Sequence, residues 1–375
     1  MGRRGNGEGT ITRRRDGRWE ARYMAHTAKG PKRKVLYGKT RAEVAEKLTK
    51  AMADRDGGVV FDSENQTVGE YLNRWLRDSV RGSVKPITFE SYERLVRVHI
   101  ATALGRVKLK NLTPAHLQGF YRDRLDAGLS PRTVQYLHVL LHRSLKQALR
   151  WNMLPRNVAE AVDPPKVFKE EIRPLSSAQA RTLLEAARED RLEALYVLAI
   201  HCGLRQGELL ALRWDDVDLV VGTLRVNRSL TVTKDGPTFT TPKTAKSRRT
   251  VQLTVGAVEA LKRHSERQAQ EMVKVDALYR DQGLVFASQI GTPMNRQNLN
   301  SRSFKPLLER TGLPNIRFHD LRHTCATLLL GQGVHPKFVQ ELLGHATIAI
   351  TLDTYSHVLP GMGHQVSQAM QSVLD

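Results

Sequence analysis

The sequence predicts a multidomain protein that is mainly α-helical, with small antiparallel sheets at two places along the chain. A chain of 375 residues is too long to fold around one hydrophobic core of ordinary size, so two or three domains are expected. Three short strand-like runs open the chain, four capped helical segments follow, and a proline-rich linker precedes a longer mixed segment. These observations predict domains at residues 1–58, 66–165 and 172–375.

The first predicted domain is an α+β unit, in which a three-stranded sheet is backed by one helix. Asp16-Gly17 predicts a tight hairpin turn, because glycine accepts the positive φ that such a turn needs. Thr40 with Glu43 predicts a capped helix start. The predicted strands span residues 10–15, 18–24 and 32–37, and the apolar stripe of the helix consists of Val44, Leu48 and Met52.

The charge of the chain points to an anionic partner. The formal net charge is +21, and residues 1–60 alone hold sixteen Lys and Arg against seven Asp and Glu. Such an excess destabilises a compact chain by self-repulsion unless an anion compensates it. Nucleic acid is the favoured partner, and an acidic membrane surface is the alternative. The predicted sheet could enter a DNA groove with the arginines that it carries, and the alternative is a solvated basic arm; these arginines are Arg13, Arg14, Arg15, Arg18 and Arg22.

Two other compositional features bound the cellular setting. No uninterrupted apolar stretch approaches the roughly 18–20 residues that a membrane span needs, so no membrane partner is expected. The two cysteines, Cys202 and Cys325, lie in apolar helical contexts and are expected to be buried free thiols in a reducing cytoplasm.

The second predicted domain is all-α, because each of four amphipathic segments has a recognisable helix start. Gly57-Gly58 is predicted as a hinge before it, and Asp163-Pro164-Pro165-Lys166 as the linker after it. The leucine stripe of the last segment is expected to be core. The predicted starts are Thr67 with Glu70, Thr88, Thr113-Pro114 and Ser130-Pro131.

Four separated pieces of the third predicted domain carry reactive side chains. The first, residues 201–210, closes an apolar helix and opens another. Arg205 stands between Gly203 and Gly207, which would let the backbone approach a ligand, and Glu208 is spaced to pair with Arg205. The second, residues 242–250, is predicted to be a basic β-hairpin. Taken alone, each piece is explained by an ordinary surface turn, without a functional role.

The third and fourth pieces lie near the end of the chain. His319, Arg322 and His323 fall on one helix face, which suits an anion such as phosphate. A zinc site is disfavoured, since the metalloprotease pattern needs Glu after the first histidine and Asp320 stands there. The fourth piece holds His345 and, ten positions on, Tyr355.

In this order, Arg205, His319 with Arg322, His345 and Tyr355 resemble the tyrosine recombinase (phage integrase) family. The resemblance is close over residues 172–375. It is looser over 66–165, which look like the family's core-binding domain, and 1–58 look like the arm-binding domain of phage and conjugative-element integrases. It therefore implies a mixed, mainly helical recombinase catalytic domain at the end of the chain.

The resemblance implies a role for each catalytic residue. Arg205 and Arg322 would clamp the scissile phosphate, Tyr355 would attack it, and His345 would hydrogen-bond to it. A phenol is a poor nucleophile at neutral pH, so a base is expected, and His319 is the candidate. The leaving oxygen would take a proton from Lys243, with Lys246 as the alternative. No cofactor and no metal ligand set are expected, and Asp215, Asp216 and Asp218 are expected to cap or solvate a helix end.

The resemblance also implies partners and a location. The partners are double-stranded DNA that carries core-type and arm-type sites, and further copies of the chain, which form a homotetramer on that DNA. The location is the cytoplasm of a bacterial host, in association with its nucleoid. It leaves open whether a directionality factor and a host DNA-bending protein take part. A type IB topoisomerase and a catalytically silent DNA-binding regulator are the alternative functions. The basic N-terminal domain argues against the first, and the complete catalytic set against the second.

Overall fold

The structure is a computed structural model and describes residues 9–27, 30–56, 65–168, 173–241, 248–355, 367 and 370–374. The chain divides into two compact units, Met1–Lys169 and Glu170–Asp375, and the division falls between the second and third predicted domains. No helix within the described ranges is long and apolar enough to cross a membrane. The predicted hinge at Gly57-Gly58 lies outside the described residues.

The first unit begins with a three-stranded antiparallel sheet in the order β1-β2-β3 and one helix, α1. Alternate residues of the central strand are buried against Val44 and Leu48 of the helix, because successive side chains of a strand point to opposite faces. The predicted sheet and helix are thus confirmed. Their bounds are β1 Thr10–Arg13, β2 Trp19–Thr27, β3 Gly30–Gly38 and α1 Arg41–Asp56.

The start of α1 differs in one detail from the predicted reciprocal cap. The Thr40 hydroxyl accepts from the backbone N–H of Glu43 at 3.1 Å, as a capping residue should. The Glu43 carboxylate accepts from the backbone N–H of Lys39 at 2.8 Å, one residue earlier than predicted. The carboxylate also accepts from Lys47 at 2.7 Å, so the side chain joins the first helical turn to the end of the sheet.

The remaining described elements of the first unit are helices. Thr67 and Glu70 form the predicted reciprocal cap, and Thr113 and Ser130 cap helices that begin with proline. The prediction that Thr88 opens a helix is wrong: that helix begins at Pro86, where a proline loses no hydrogen bond. The helices are α2 Val68–Trp75, α3 Pro86–Leu95, α4 Ala101–Leu104, α5 Pro114–Asp126 and α6 Pro131–Arg150.

These helices enclose a core of their own, separate from that of the sheet. The leucine stripe of α6 is buried as predicted, and it packs with Tyr71 and Trp75 of α2. Burying an apolar stripe of this kind is the main source of stability for an amphipathic helix in water.

In the second unit, nine α-helices and five strands have both ends within the described residues, and residues 367 and 370–374 are helical as well. The helices are α7 Ser177–Ala186, α8 Glu193–His201, α9 Gln206–Leu209, α10 Val255–Val275, α11 Arg296–Leu299, α12 Lys305–Arg310, α13 Asp320–Gly331, α14 Pro336–Leu343 and α15 Ile348–Tyr355. The strands are β4 Val217–Asp218, β5 Thr223–Val226, β6 Ser229–Thr233, β7 Gly236–Thr240 and β8 Arg249–Gln252.

The strand pairing corrects the hairpin that was predicted around residues 242–250. β6 pairs with β7 across a tight turn, while β8 pairs with β5 in a second sheet of order β4-β5-β8. The segment therefore connects strands of different sheets. The reason is a turn that the prediction overlooked at residues 234–236, where Gly236 has a φ of 109° that favours glycine.

α8 lies at the centre of this unit. It is apolar on every side and almost wholly buried, as expected of a helix without a polar face. Cys202 at its end and Cys325 on α13 are both buried free thiols, as predicted. Because α8 is enclosed, the residues that follow it, including Arg205, are held against the elements that carry the other reactive groups.

Candidate active site

Arg205 stands at the point where the chain turns from α8 into α9. Its backbone N–H donates to Glu208 Oε2 at 3.0 Å, and its Nη1 donates to Glu208 Oε1 at 2.7 Å. The pairing expected from the spacing is therefore present. The Arg205 side chain keeps 36% of its surface exposed, so the guanidinium is fixed at one edge and open to an anion at another.

The glycines beside Arg205 permit close packing of the protein on itself, which corrects the expectation that they admit a ligand. A Cβ on Gly203, which has a φ of 59°, would stand 2.5 Å from the Leu343 side chain. A Cβ on Gly207 would stand 2.6 Å from the Ser229 hydroxyl. The loop around Arg205 is therefore pressed against β6 and against the end of α14.

Arg249 is a residue of this site that the sequence reasoning missed. Its side chain is 7% exposed and donates to Glu208 Oε2 at 3.0 Å and to the Leu342 carbonyl at 2.6 Å. Burial alone would raise the pKa of Glu208, yet Arg249 and Arg205 together lower it. A charged Glu208 thus joins Arg249 to Arg205. Nothing in the basic run 242–250 singled Arg249 out, because its role depends on contacts with residues far away in sequence.

Arg322 is the second of the two arginines that the sequence predicted for this site, and it is 2% exposed. Its Nη1 donates to the Gly203 carbonyl at 2.7 Å and its Nη2 donates to the Leu343 carbonyl at 2.6 Å. The side chain therefore joins the loop that precedes Arg205 to the loop that carries His345. A guanidinium has five N–H donors, so these two bonds leave donors for a further acceptor.

His345 follows the glycine that ends α14. Gly344 has the left-handed φ of 64° that commonly closes a helix, and its carbonyl accepts from Arg205 at 3.4 Å. Burial, with Arg322 and Arg205 nearby, lowers the pKa of His345 to about 3. The imidazole is therefore neutral at pH 7, and one of its two nitrogens carries a proton.

The Thr351 side chain contacts one of the two ring nitrogens of His345. Its buried hydroxyl lies 2.9 Å from His345 Nδ1. When the hydroxyl donates to Nδ1, the ring proton resides on Nε2, which can then donate to an anion. The sequence held a weak signal of this contact, since Thr351 lies one helical turn before Tyr355 on α15.

Replacing Thr351 by Val should lower the rate of the reaction at this site by roughly tenfold, the value of one hydrogen bond. Valine keeps the shape of threonine but cannot donate, so the His345 tautomer is no longer fixed. Thr351→Ser keeps the hydroxyl and should restore the rate. NMR of labelled histidine should show the Nε2–H tautomer of His345 in the wild type and the Ser variant only. An unchanged tautomer in the Val variant would contradict the assignment.

Tyr355 is the last described residue of α15 and is 1% exposed. Its ring lies in an apolar cluster, and its hydroxyl forms a 2.6 Å hydrogen bond with His323 Nδ1. Burial raises the pKa of Tyr355 to about 12, although Arg322 opposes this. The ring is packed between α13 and α14 by Ala326, Leu330, Val339 and Leu343.

His319, the predicted base, lies against the ring that bonds the phenol. The centroids of His319 and His323 are 5.0 Å apart, with the rings edge to face. Loss of solvation lowers the pKa of His319 to about 4, with His323 and Arg322 adding to the effect, although the residue is still exposed to solvent. No contact between His323 and the Tyr355 hydroxyl was predicted, because residue spacing alone cannot show which of the two imidazoles lies against α15.

The structure thus brings together Arg205, Arg322, His345 and Tyr355 with a pair of histidines. Arg205 and Arg322 both contact carbonyls of residues 343–344, and Arg322 also interacts with Tyr355. Lys243 and its alternative, Lys246, lie outside the described residues. The aspartates near β4 serve structural contacts: Asp216 bonds Arg228 and Asn227, and Asp218 accepts from the backbone of the next turn.

The five N-terminal arginines occupy four different positions, and three of them lie outside the strands on which they were predicted. Arg22 lies on the solvent face of the sheet, where it pairs with Glu20 at 2.6 Å. Arg14 follows β1 and lies over the Tyr37 ring at 5.2 Å. On β1, Arg13 lies at one of the alternate positions that face the helix. Arg15 and Arg18 belong to the Asp16-Gly17 turn. The turn ends β1 two residues earlier than predicted.

Comparison with known proteins identifies the family. The model of the phage integrase family matches residues 173–361, and that of the N-terminal SAM-like domain of phage integrase matches residues 67–125. A tyrosine recombinase XerC-like protein of Caldanaerobacter subterraneus subsp. tengcongensis is 34% identical over 362 residues, which cover 92% of each chain. An integrase of Streptomyces ambofaciens is 31% identical over 332 residues, covering 85% of this chain and 83% of that one.

Solved structures of integrases share the fold. The Tn1549 transposon integrase in complex with transposon right end DNA aligns with a TM-score of 0.69 and 23% identity, over 83% of this chain and all of that one. A lambda integrase dimer bound to a COC′ core site aligns with a TM-score of 0.59 and 19% identity, over 96% of this chain and 97% of that one. The multidomain, mainly α-helical prediction is thereby confirmed. The chain belongs to the phage integrase family and is a tyrosine recombinase.

Proposed function

We propose that the chain cleaves and rejoins DNA strands through a 3′-phosphotyrosyl intermediate at Tyr355, and that it integrates or excises a phage or another mobile element. The observation that carries the proposal is the convergence of Arg205, Arg322 and His345 beside the buried phenol. Family membership makes the reaction class firm, and the contacts described above support a role for each group.

The reaction is a transesterification. The Tyr355 oxygen forms a bond to phosphorus while the bond from phosphorus to the 5′ oxygen breaks, which leaves a free 5′-hydroxyl. Arg205 and Arg322 donate to the non-bridging oxygens, and neutral His345 adds a third donor, so that the charge developing in the transition state is stabilised. Because the phosphotyrosyl bond replaces a phosphodiester, resealing needs no external energy source.

Two proton transfers accompany the exchange. The phenol proton must pass to a base, and two imidazoles are close: His323 in contact with the hydroxyl, and His319 beside it. The 5′ oxygen must gain a proton, which we assign to Lys243, with Lys246 as the alternative. A positioned acid or base typically contributes about 10²–10⁴-fold to the rate.

In this proposal, all three domains contribute to DNA binding. The domain at residues 1–58 binds arm-type sites through its solvent-facing sheet, with Arg22 and Arg14 at the surface and the Arg15–Arg18 turn at its edge. The helical domain at 66–165 and the catalytic domain at 172–375 bind core-type sites, and four copies assemble on the recombining DNA. Of the structures similar in fold, one is a lambda integrase tetramer bound to a Holliday junction. The enzyme then acts on the bacterial nucleoid, where a directionality factor and a host DNA-bending protein assist it.

The test is covalent capture on a nicked suicide duplex made from the DNA that flanks the gene. We expect a protein adduct on the 3′ phosphate at the break, with the 5′-hydroxyl strand released, and proteolysis should recover the nucleotide on the peptide that contains Tyr355. A second duplex with the partner junction should yield recombinant strands. An adduct at a 5′ end would exclude the proposal, while relaxation of supercoils without any exchange between sites would favour a topoisomerase.

A further inference from the structure

The contact between His323 and Tyr355 bears on which of the two imidazoles takes the phenol proton. His323 Nδ1 lies 2.6 Å from the Tyr355 oxygen, and the two rings are 5.6 Å apart between centroids. His323 belongs to α13 and Tyr355 to α15, 32 positions later, so the contact is made by packing between helices.

The surroundings of the phenol restrict where its proton can go. Tyr355 is 1% exposed, and the apolar side chains of α13 and α14 that surround its ring exclude water from it. A buried hydroxyl that becomes an oxyanion must deliver its proton to a group already in contact, because separating charge in an apolar setting is costly. A hydrogen-bonded imidazole at 2.6 Å meets the distance that proton transfer requires.

We propose that His323 is the proton acceptor for the nucleophile. During cleavage the Tyr355 proton moves to His323 Nδ1 as the bond from oxygen to phosphorus forms. During religation the 5′-hydroxyl returns its proton to the lysine that supplied it and attacks phosphorus, the tyrosyl oxygen leaves, and His323 returns the proton to that oxygen. Protons and charge balance within the chain, since the 5′ oxygen is protonated by a separate donor. This inference rests on the proposed function and moves the base from His319 to His323.

The environment of His323 keeps its ring neutral and therefore able to accept. Burial lowers the pKa of His323, Asp320 opposes this, and Arg322 and Arg317 lower it further. The opposition from Asp320 is limited because Arg317 holds that carboxylate at 3.0 Å. The His319 ring also packs against His323 and is itself neutral at pH 7, because its pKa is lowered to about 4. His345, which interacts with His323, is neutral as well, because its pKa is lowered to about 3.

The experiment compares His323→Asn with His319→Asn on the nicked suicide duplex. An asparagine oxygen can occupy the place of Nδ1 and keep the hydrogen bond to Tyr355, but an amide does not accept a proton at neutral pH. We expect His323→Asn to slow adduct formation about 10²–10⁴-fold while it still binds the duplex and unfolds at the wild-type temperature. His319→Asn should slow it less. His323→Gln is the second variant if the Asn protein is unstable.

The pH profile separates a base from a residue that only holds the ring. The wild-type cleavage rate should be nearly constant above about pH 7, where His323 is neutral. In His323→Asn the phenol must ionise unaided, so the rate should rise about tenfold per pH unit toward the elevated pKa of Tyr355. A profile that matches the wild type, with a rate within a few-fold of it, would overturn the assignment.

A duplex with sulfur in place of the bridging 5′ oxygen identifies which proton transfer is lost. A thiolate leaves without protonation, so this duplex should restore the cleavage rate of Lys243→Ala but not that of His323→Asn. Restoration of His323→Asn would assign His323 to the leaving group and overturn the inference. Failure of the proposed function is distinct, since the wild-type protein would then form no adduct on either duplex.

Discussion

Replacing Tyr355 by Phe should abolish the covalent protein–DNA adduct while leaving DNA binding intact. The substitution removes one oxygen and keeps the ring in its apolar cluster, so the change in packing is small. It breaks the hydrogen bond to His323, which should lower the free energy of unfolding by only about 0.5–1.5 kcal/mol. The measurement is adduct formation on the suicide duplex, with binding followed by a gel-shift assay.

Tyr196→Phe is the matched control for this variant. Tyr196 is likewise buried in the second unit, and its hydroxyl bonds the Ser303 hydroxyl at 2.6 Å. Loss of that hydroxyl should lower stability by a similar amount and leave the adduct at wild-type levels. Any adduct that survives in Tyr355→Phe would assign the nucleophile to another residue and remove the basis of the proposed function.

Replacing Arg322 by Lys should reduce cleavage by about 10³–10⁵-fold, the range found for arginines that stabilise a transferring phosphoryl group. Lysine keeps the charge but has no planar fork with which to contact the phosphate and two carbonyls at once. The carbonyls of Gly203 and Leu343 would lose a donor, and each loss should lower the free energy of unfolding by about 1–3 kcal/mol. Cleavage kinetics and urea unfolding measure the two effects.

Arg205→Lys provides the comparison for Arg322→Lys, because Arg205 is partly exposed where Arg322 is buried. It should lose cleavage activity with a smaller change in unfolding free energy, since Glu208 retains its bond to Arg249. If Arg322→Lys unfolds like the wild type and cleaves normally, the buried guanidinium has neither the structural nor the catalytic role assigned to it.

Local patterns predicted much of the fold. The turn at Asp16-Gly17 and the caps at Thr67, Thr113 and Ser130 were all found, because each depends on backbone preferences within a few residues. The errors have local causes as well. The second helix start was placed at Thr88 although the helix begins at Pro86, and the turn before Gly236 was overlooked, so that one hairpin was assigned to the wrong segment.

The site was predictable in its membership and less so in its contacts. The resemblance to the phage integrase family indicated Arg205, His319, Arg322, His345 and Tyr355, and the pairing of Arg205 with Glu208 followed from helical geometry. Arg249 could not be found in this way, and Thr351 had only the weak signal of lying one helical turn before Tyr355. The contacts of Arg249 with Glu208 and the Leu342 carbonyl span 41 and 93 positions, and no periodicity connects residues so far apart.

The sequence by itself determined which reactive groups this protein has and in what order they occur, because short motifs fix residue types and helix starts through local interactions. Only the tertiary structure decided that the phenol meets His323, that Arg322 is buried between two loops, and that Thr351 orients His345. These contacts depend on how α13, α14 and α15 pack together. A hydrogen bond forms or fails over a few tenths of an ångström, and that precision comes from the packed core and not from sequence spacing.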